Sequence, residues 1–362
     1  MEREVLAFIR EPGDEAAFDD LALRLFRWQR ERNPVLASFW AGARPRHWRE
    51  VPPLPVGAFK QAAVACGDPA RAVAVFETSG TTRGPEVRGR HHFFTLDLYD
   101  AALLPVFERY LLPDGARLPM FILTPPPEAA PHSSLSYYFG VIRRELGGPG
   151  SRFFWDGGAG DLLYEALARA LREAEAAGTP VVLLGTAFAF VHFCDRARQE
   201  GWRFRLPPGS RAMETGGFKG RSRELRQPEL YALMAEVLGI PPARIVNQYG
   251  MTELSSQFYE PNLRDPRYAG FPRPKQGAAW CRVVIRDPET LAEVPDGEVG
   301  LIEVVDLANV GSCAFLLTQD LGRKVPGGFE VLGRVPGAAP RGCSIAADIV
   351  LGGSGRHPGE GA

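Results

Sequence analysis

Between residues 119 and 250 short apolar runs alternate with segments of helical period, and few folds accept that order. PMFILTP (119–125), TPVVLLG (179–185), RAMETGG (211–217) and ARIVNQYG (243–250) read as strands. Between them DLLYEALARALREAEAAG (161–178), TAFAFVHFCDRAR (186–198) and PELYALMAEVLG (228–239) read as helices. The first of these ends in glycine, a common C-terminal cap. Alternating β and α segments imply an α/β fold, a layered sheet with helices on its faces.

The flanks differ. Residues 1 to about 50 read as helical, with Phe8, Ile9, Leu21, Leu23, Leu25 and Phe26 as apolar positions. VPPLPVGAFK (51–60) cannot be regular helix, because three prolines in five residues remove donors and fix φ. AVAVFETSG (72–80) reads as a strand entering a Gly/Thr-rich loop, and LDLYDAALLPVFERYL (96–111) as a helix interrupted at Pro105. After about 278, WCRVVIRD, DGEVGLIEVVDL and CAFLLTQDLG form consecutive strands of a β-rich subdomain, with turns at Pro295-Asp296-Gly297 and Asn309-Val310-Gly311. The expected division is a large domain over 1–325, with 1–50 as its helical N-terminal segment, a short C-terminal remnant over 326–351 and a disordered tail over 352–362.

Composition narrows the function classes. A chain of 362 residues with 45% hydrophobic content can bury one large core. Its 42 basic and 43 acidic residues leave a net charge of −1, which excludes a nucleic-acid partner held by bulk charge. Only four of the basic residues are lysine (Lys60, Lys219, Lys275 and Lys324), and none follows 324. The five cysteines (Cys66, Cys194, Cys281, Cys313, Cys343) are far apart and never in C-x-x-C, so neither a disulfide framework nor a zinc knuckle fits. The first twenty residues are too acidic for a secretory signal, and no apolar run approaches the roughly 20 residues of a bilayer crossing. The expectation is a soluble, cytoplasmic protein without a membrane span.

Three motifs could carry chemistry. Thr78-Ser79-Gly80-Thr81-Thr82-Arg83-Gly84 offers backbone N–H groups and hydroxyls to phosphate oxygens, although G-x-x-x-x-G-K-[ST] is absent. Asn247-Gln248-Tyr249-Gly250-Met251-Thr252-Glu253 combines an aromatic face for a purine, an amide for its edge and a carboxylate for Mg2+. Thr318-Gln319-Asp320-Leu321-Gly322-Arg323, followed by Gly333-Arg334, places a carboxylate where ribose hydroxyls could bind. Each motif alone is also ordinary turn chemistry, with Glu253 a surface glutamate.

Their order decides between these readings. S-G-T-T near 80, T-G-G near 215, Y-G-M-T-E near 250, D-L-G-R near 320 and G-R near 333 together resemble the adenylate-forming superfamily of acyl-CoA synthetases, peptide-synthetase adenylation domains and luciferases. VPPLPVGAFK, Arg88-Gly89-Arg90-His91, Pro131-His132-Ser133-Ser134, Glu214 to Arg221 and Arg341-Gly342-Cys343-Ser344 resemble its acyl-protein synthetase branch. That branch is the fatty-acid-activating component of the bacterial bioluminescence reductase complex. The resemblance spans about 51 to 350. It implies that ATP and a carboxylic acid give acyl-AMP and pyrophosphate, with the acyl group passing to a protein thiol and then to an acyl reductase.

Carried onto this chain, the resemblance assigns Ser79, Gly80, Thr81 and Thr82 to the β- and γ-phosphates. Gly216 and Gly217 would line the adenine beside Gln248, Gly250 and Thr252, and Tyr249 would stack on it. Glu253 would bind Mg2+, Asp320 would hold the ribose, Arg334 would assist at ribose or phosphate, and His132 would lie near the acyl pocket, with a helix-capping or packing role as its competing reading. Cys343 is the acyl-acceptor candidate, with a packing role as the competing reading. Phe188 to Phe193 could wall an acyl tunnel or pack a core. Two departures stand out: Arg83 and Glu86 occupy positions where the superfamily has glycine and lysine, with Arg88 or Arg90 as substitutes. The sequence also lacks the superfamily's C-terminal lid lysine, so the lid is expected to be reduced or absent and Lys219 is the candidate replacement. An acyl- or aryl-CoA ligase, and a non-catalytic nucleotide-binding regulator or scaffold, remain as alternatives.

Overall fold

Side chains alternate across a strand, and in the computed structural model that alternation sorts the core into two halves. The structure describes residues 1–78, 88–158, 160–216 and 225–334. Strands Met120–Leu123, Val182–Thr186, Arg211–Thr215 and Ile245–Tyr249 lie parallel to one another in a six-stranded sheet. Phe121, Leu123, Leu183, Ala212 and Ile245 face one cluster, built with helices Tyr164–Ala176, Ala187–Gln199 and Gln227–Leu238. Met120, Ile122, Val182, Leu184, Met213 and Val246 face the other, built with helices Asp97–Leu111 and Ser134–Leu146. A sheet buried on both faces explains the near-continuous apolar runs. Phe190 and Phe193 are fully buried in the first cluster, so that aromatic stretch packs core.

The helix over 97–111 runs through Pro105 instead of stopping there. Proline in a helix interior removes a hydrogen bond at a cost of about 3 kcal/mol. Here Leu98, Tyr99, Ala102, Leu103, Val106, Phe107, Tyr110 and Leu111 are all buried, and their burial outweighs the lost bond.

A second sheet holds the C-terminal strands Cys281–Arg286, Gly300–Asp306, Phe315–Val325 and Gly328–Arg334, all in antiparallel pairs. The short strand Leu54–Pro55 joins it in parallel, opposite Leu316 and Leu317, and a 3-10 turn over Val56–Lys60 follows. Gly328–Arg334 is a strand of the same sheet, because its ladder with Phe315–Val325 runs from Val325↔Gly328 to Asp320↔Arg334. The N-terminal helices Glu2–Arg10, Glu15–Arg32 and Pro34–Phe39 pack on this sheet's core. Buried Gln29 donates to the carbonyls of Asn309 and Val310 and accepts from Ala314 N. Buried Asn33 donates to Ser312 O at 3.3 Å.

Candidate functional site

The motif segments meet because two strands end side by side. Thr215 pairs with Gln248 across the parallel ladder, so Gly216 and the Q-Y-G turn leave the sheet together at its carboxyl edge, where open α/β sheets bind ligands. Thr215 Oγ1 donates to Gln248 O at 3.1 Å and also bonds Gln248 Oε1. Gly216 turns the chain with φ at 77°, a left-handed conformation that favours glycine. Gly250 is small for another reason: a Cβ there would come within 2.6 Å of Gln248 Nε2.

Tyr249 reaches the second sheet. Its hydroxyl donates to Asp320 Oδ2 at 2.8 Å, and its ring is held by Phe258 and Phe329, with centroids 6.2 and 6.0 Å away. Burial and then the Asp320 charge push the Tyr249 phenol well above its usual range, so it stays a donor. Strand pairing sets Arg334 directly opposite Asp320, and Arg334 Nε donates to Asp320 Oδ1 at 3.3 Å. Asp320 is buried and Arg334 exposed. An ionised carboxylate has about four acceptor positions, so Asp320 retains capacity for further hydroxyl donors.

Glu253 is not a surface glutamate. It is 8% exposed, and burial raises its carboxyl pKa, opposed by the charges of Arg334 and Lys60 and assisted by Asp320. Its backbone is clamped from three directions. His91 Nδ1 bonds Thr252 O at 2.8 Å while its Nε2 bonds Ser312 Oγ at 2.8 Å. Asn309 Nδ2 donates to Glu253 O at 2.7 Å and Asn309 Oδ1 accepts from Ser255 Oγ at 2.5 Å. Asp306 Oδ2 accepts from Ser255 N and Ser256 N, at 2.9 and 2.8 Å. Burial pushes the His91 imidazole down to about 4, so it is neutral, donating at one nitrogen and accepting at the other.

Beneath the strand ends lies a buried polar network. Glu214 Oε1 accepts from Asn247 Nδ2 at 2.6 Å and from Tyr231 Oη at 3.0 Å. Burial raises the Glu214 carboxyl to about 7. Glu260, one strand away, takes Lys275 at 2.9 Å and Arg273 at 3.3 Å.

Thr215, Gly216, Gln248, Tyr249, Gly250, Thr252, Glu253, Asp320 and Arg334 therefore share one region. His132 Nδ1 bonds Val75 O at 3.0 Å and its carbonyl accepts from Glu77 N, bracing the strand Ala74–Glu77. Arg88 and Arg90, considered as phosphate donors, both bind Glu77 at 3.3 Å. Ser79, Gly80, Thr81, Thr82, Arg83, Glu86, Gly217, Lys219 and Cys343 lie outside the described residues. Cys194, Cys281 and Cys313 are buried with thiol pKa values raised by burial, and Cys66 is pushed up to about 12.

Sequence reasoning missed His91, Asp306 and Asn309 as neighbours of the acidic turn. Their partners are far away in the chain, with Asn309 56 residues from Glu253. Among the described residues no group of three or more His, Cys, Asp or Glu side chains could hold a metal alone. A single buried carboxylate fits Mg2+ that takes its other ligands from water and substrate phosphates.

Comparisons with known proteins give the family and the fold. The family model described as acyl-protein synthetase, LuxE, matches residues 115–351. The chain is 24% identical over 192 residues to a long-chain-fatty-acid–luciferin-component ligase of Vibrio harveyi, covering 51% of this chain and 48% of that protein. The corresponding ligase of Aliivibrio fischeri is 23% identical over 182 residues, covering 47% and 46%. The chain thus spans about half the length of the curated relatives it matches. Among solved structures, an open conformation of 2-hydroxyisobutyryl-CoA ligase in complex with 2-HIB-AMP and CoA superposes with a TM-score of 0.63 at 16% identity, covering 89% of this chain and 75% of that one. ATP-bound MatB from Rhodopseudomonas palustris gives a TM-score of 0.53 at 19% identity, covering 74% and 49%. The fold is that of the adenylate-forming ligases.

Proposed function

Since this chain belongs to the LuxE acyl-protein synthetase family, we propose that it activates a carboxylic acid with ATP and passes the acyl group to a protein thiol. The observation that carries this reading is the meeting of Tyr249, Asp320, Arg334 and Glu253 at the carboxyl edge of the parallel sheet. The acid is a fatty acid, and the downstream partner is an acyl reductase.

Each residue has a part that follows from its chemistry. Tyr249 offers an aromatic face to adenine, and Asp320 accepts ribose hydroxyls while Tyr249 and Arg334 fix its orientation. Arg334, exposed at the rim, meets phosphate or ribose oxygens. Glu253 would hold Mg2+, which when bound neutralises phosphoryl oxygens and lets an anionic carboxylate approach. The buried clamp of His91, Asn309 and Asp306 fixes the backbone that carries Glu253, so little reorganisation accompanies the reaction. Ser79, Gly80, Thr81, Thr82 and Gly217 complete the nucleotide site in this reading, and Lys219 is a second cation near the adenine.

Cys343 is the proposed acyl acceptor. The four cysteines among the described residues have thiols held protonated by burial, and a protonated thiol is a poor nucleophile. Carboxylic-acid-dependent ATP–pyrophosphate exchange tests the adenylation. Exchange with fatty acids supports it, whereas nucleotide binding without exchange supports a scaffold. Intact mass after incubation with ATP and fatty acid tests the transfer. A hydroxylamine-labile adduct that persists in Cys343→Ala removes that cysteine from the pathway.

A further inference from the structure

Two buried carboxyls beneath the strand ends have no part in the chemistry above. Glu214 and Glu260 are 2% and 1% exposed, and a carboxyl taken out of water is costly unless donors surround it. Lys275 and Arg273 account for Glu260. Glu214 is held by neutral donors, and these belong to a circuit of hydrogen bonds that closes on itself.

Glu214 Oε1 accepts from Asn247 Nδ2 at 2.6 Å and from Tyr231 Oη at 3.0 Å. Asn247 N donates to Glu260 Oε2 at 3.2 Å. Gln227 Nε2 donates to Glu260 Oε1 at 2.7 Å and to Tyr231 Oη at 3.0 Å, which completes the ring. The circuit ties helix Gln227–Leu238 to strands Arg211–Thr215 and Ile245–Tyr249, and to Glu260, the residue after strand Phe258–Tyr259.

Its place in the sheet connects it to the candidate site. Glu214 lies opposite Asn247 in the parallel ladder, one pair before Thr215 and Gln248, where the ladder ends. Gly216 and Tyr249 come next on the two strands, past the last pair that joins them. Side chains alternate across a strand, so two bonds grip these ends from opposite faces. One is Asn247 to Glu214, and the other is Thr215 Oγ1 to Gln248 O at 3.1 Å. Apolar side chains of similar volume would fill the same space without the cost of burying a carboxyl. What a fully bonded polar network adds is direction, which holds its members in one arrangement.

We propose that Glu214 is a positioning residue for the nucleotide: through Asn247 and Tyr231 it sets the spacing of the strand ends that present Gly216 and Tyr249 to the adenine. This rests on the nucleotide site proposed above. Glu214 itself touches no substrate, and no bond forms or breaks at it.

The test compares Glu214→Leu, Tyr231→Phe and Glu214→Gln with wild type. Direct binding gives the adenosine affinity, carboxylic-acid-dependent pyrophosphate exchange gives kcat and the KM for ATP, and melting temperature reports folding. Glu214→Leu leaves both donors without their acceptor. It should weaken adenosine binding and raise the KM for ATP about tenfold, with kcat within about threefold of wild type. Tyr231→Phe takes one oxygen from the circuit at no loss of packing volume, so it reads the same effect even where Glu214→Leu fails to fold. It should cost about threefold or more in both quantities. Glu214→Gln keeps an acceptor in the Oε1 place and should hold affinity and KM at the wild-type values. Adenosine affinity within about twofold of wild type in both Glu214→Leu and Tyr231→Phe overturns the proposal. So does weakening in Glu214→Gln equal to that in Glu214→Leu, or a fall in kcat as large as the rise in KM, which marks a structural role. Wild-type protein that binds adenosine but exchanges with no carboxylic acid contradicts the adenylating function alone, and the adenosine affinities still decide the role of Glu214. Wild-type protein that binds no adenosine overturns both.

Discussion

Replacing Glu214 by glutamine should stabilise the protein at neutral and alkaline pH. Both hydrogen bonds to Glu214, from Asn247 and Tyr231, end on the same oxygen, Oε1. A glutamine with its carbonyl in that place keeps both partners. What it removes is a carboxyl that burial raises from 4.5 to about 7. Between those values the unfolded chain has released its proton and the native chain has not, so native stability falls as pH rises. The shift is worth about 3 kcal/mol at ~1.4 kcal/mol per pKa unit. Urea unfolding of wild type and Glu214→Gln, run in parallel across pH, reads the effect as a difference. The two should be nearly equal near pH 4 and diverge to about 3 kcal/mol in favour of the variant by about pH 8. A difference independent of pH, or one that grows toward acid, would refute the assignment of a desolvated Glu214.

Three further substitutions probe the site. Glu253→Gln should reduce exchange by at least about 100-fold without lowering the melting temperature, since the wild-type carboxyl already bears a burial penalty; wild-type exchange removes Glu253 from the chemistry. Tyr249→Phe takes one donor from Asp320, worth about 1.5–3 kcal/mol for a bond to a charged group. The KM for ATP should rise about tenfold or more, and an unchanged KM would show that Asp320 does not need this bond. His91→Ala releases the Thr252 carbonyl and Ser312, so both stability and exchange rate should fall. It should also lose part of the wild-type decline in stability below pH 6.5, because an imidazole held down at about 4 favours the unfolded, proton-binding chain as pH falls. An unchanged acid slope would argue against a neutral, buried His91.

Much of the architecture was legible because burial writes itself into local pattern. The parallel strands are apolar on both faces, and the helices between them keep a 3.6-residue period. The candidate nucleotide motifs stand out in the sequence because their order and spacing survive in the linear chain. Hairpin register brings Arg334 opposite Asp320, a pairing that the linear order of the two motifs does not give. Other features depended on contacts that local pattern cannot carry. Pro105 reads as a break, yet eight buried neighbours keep the helix intact. Asn309 reads as a turn residue, yet it holds Glu253 and is held by Gln29 of the N-terminal helix. The bond from the His132 imidazole to Val75 O likewise joins segments 57 residues apart, beyond the reach of local pattern.

The central claim is that a carboxylate oxygen attacks the α-phosphorus of ATP. Supplying a fatty acid labelled with heavy oxygen in its carboxyl group, together with ATP and a thiol acceptor, follows that oxygen directly by mass spectrometry. The account predicts that the AMP released after acyl transfer carries one labelled oxygen and the pyrophosphate none. Unlabelled AMP, or label in inorganic phosphate, would contradict it.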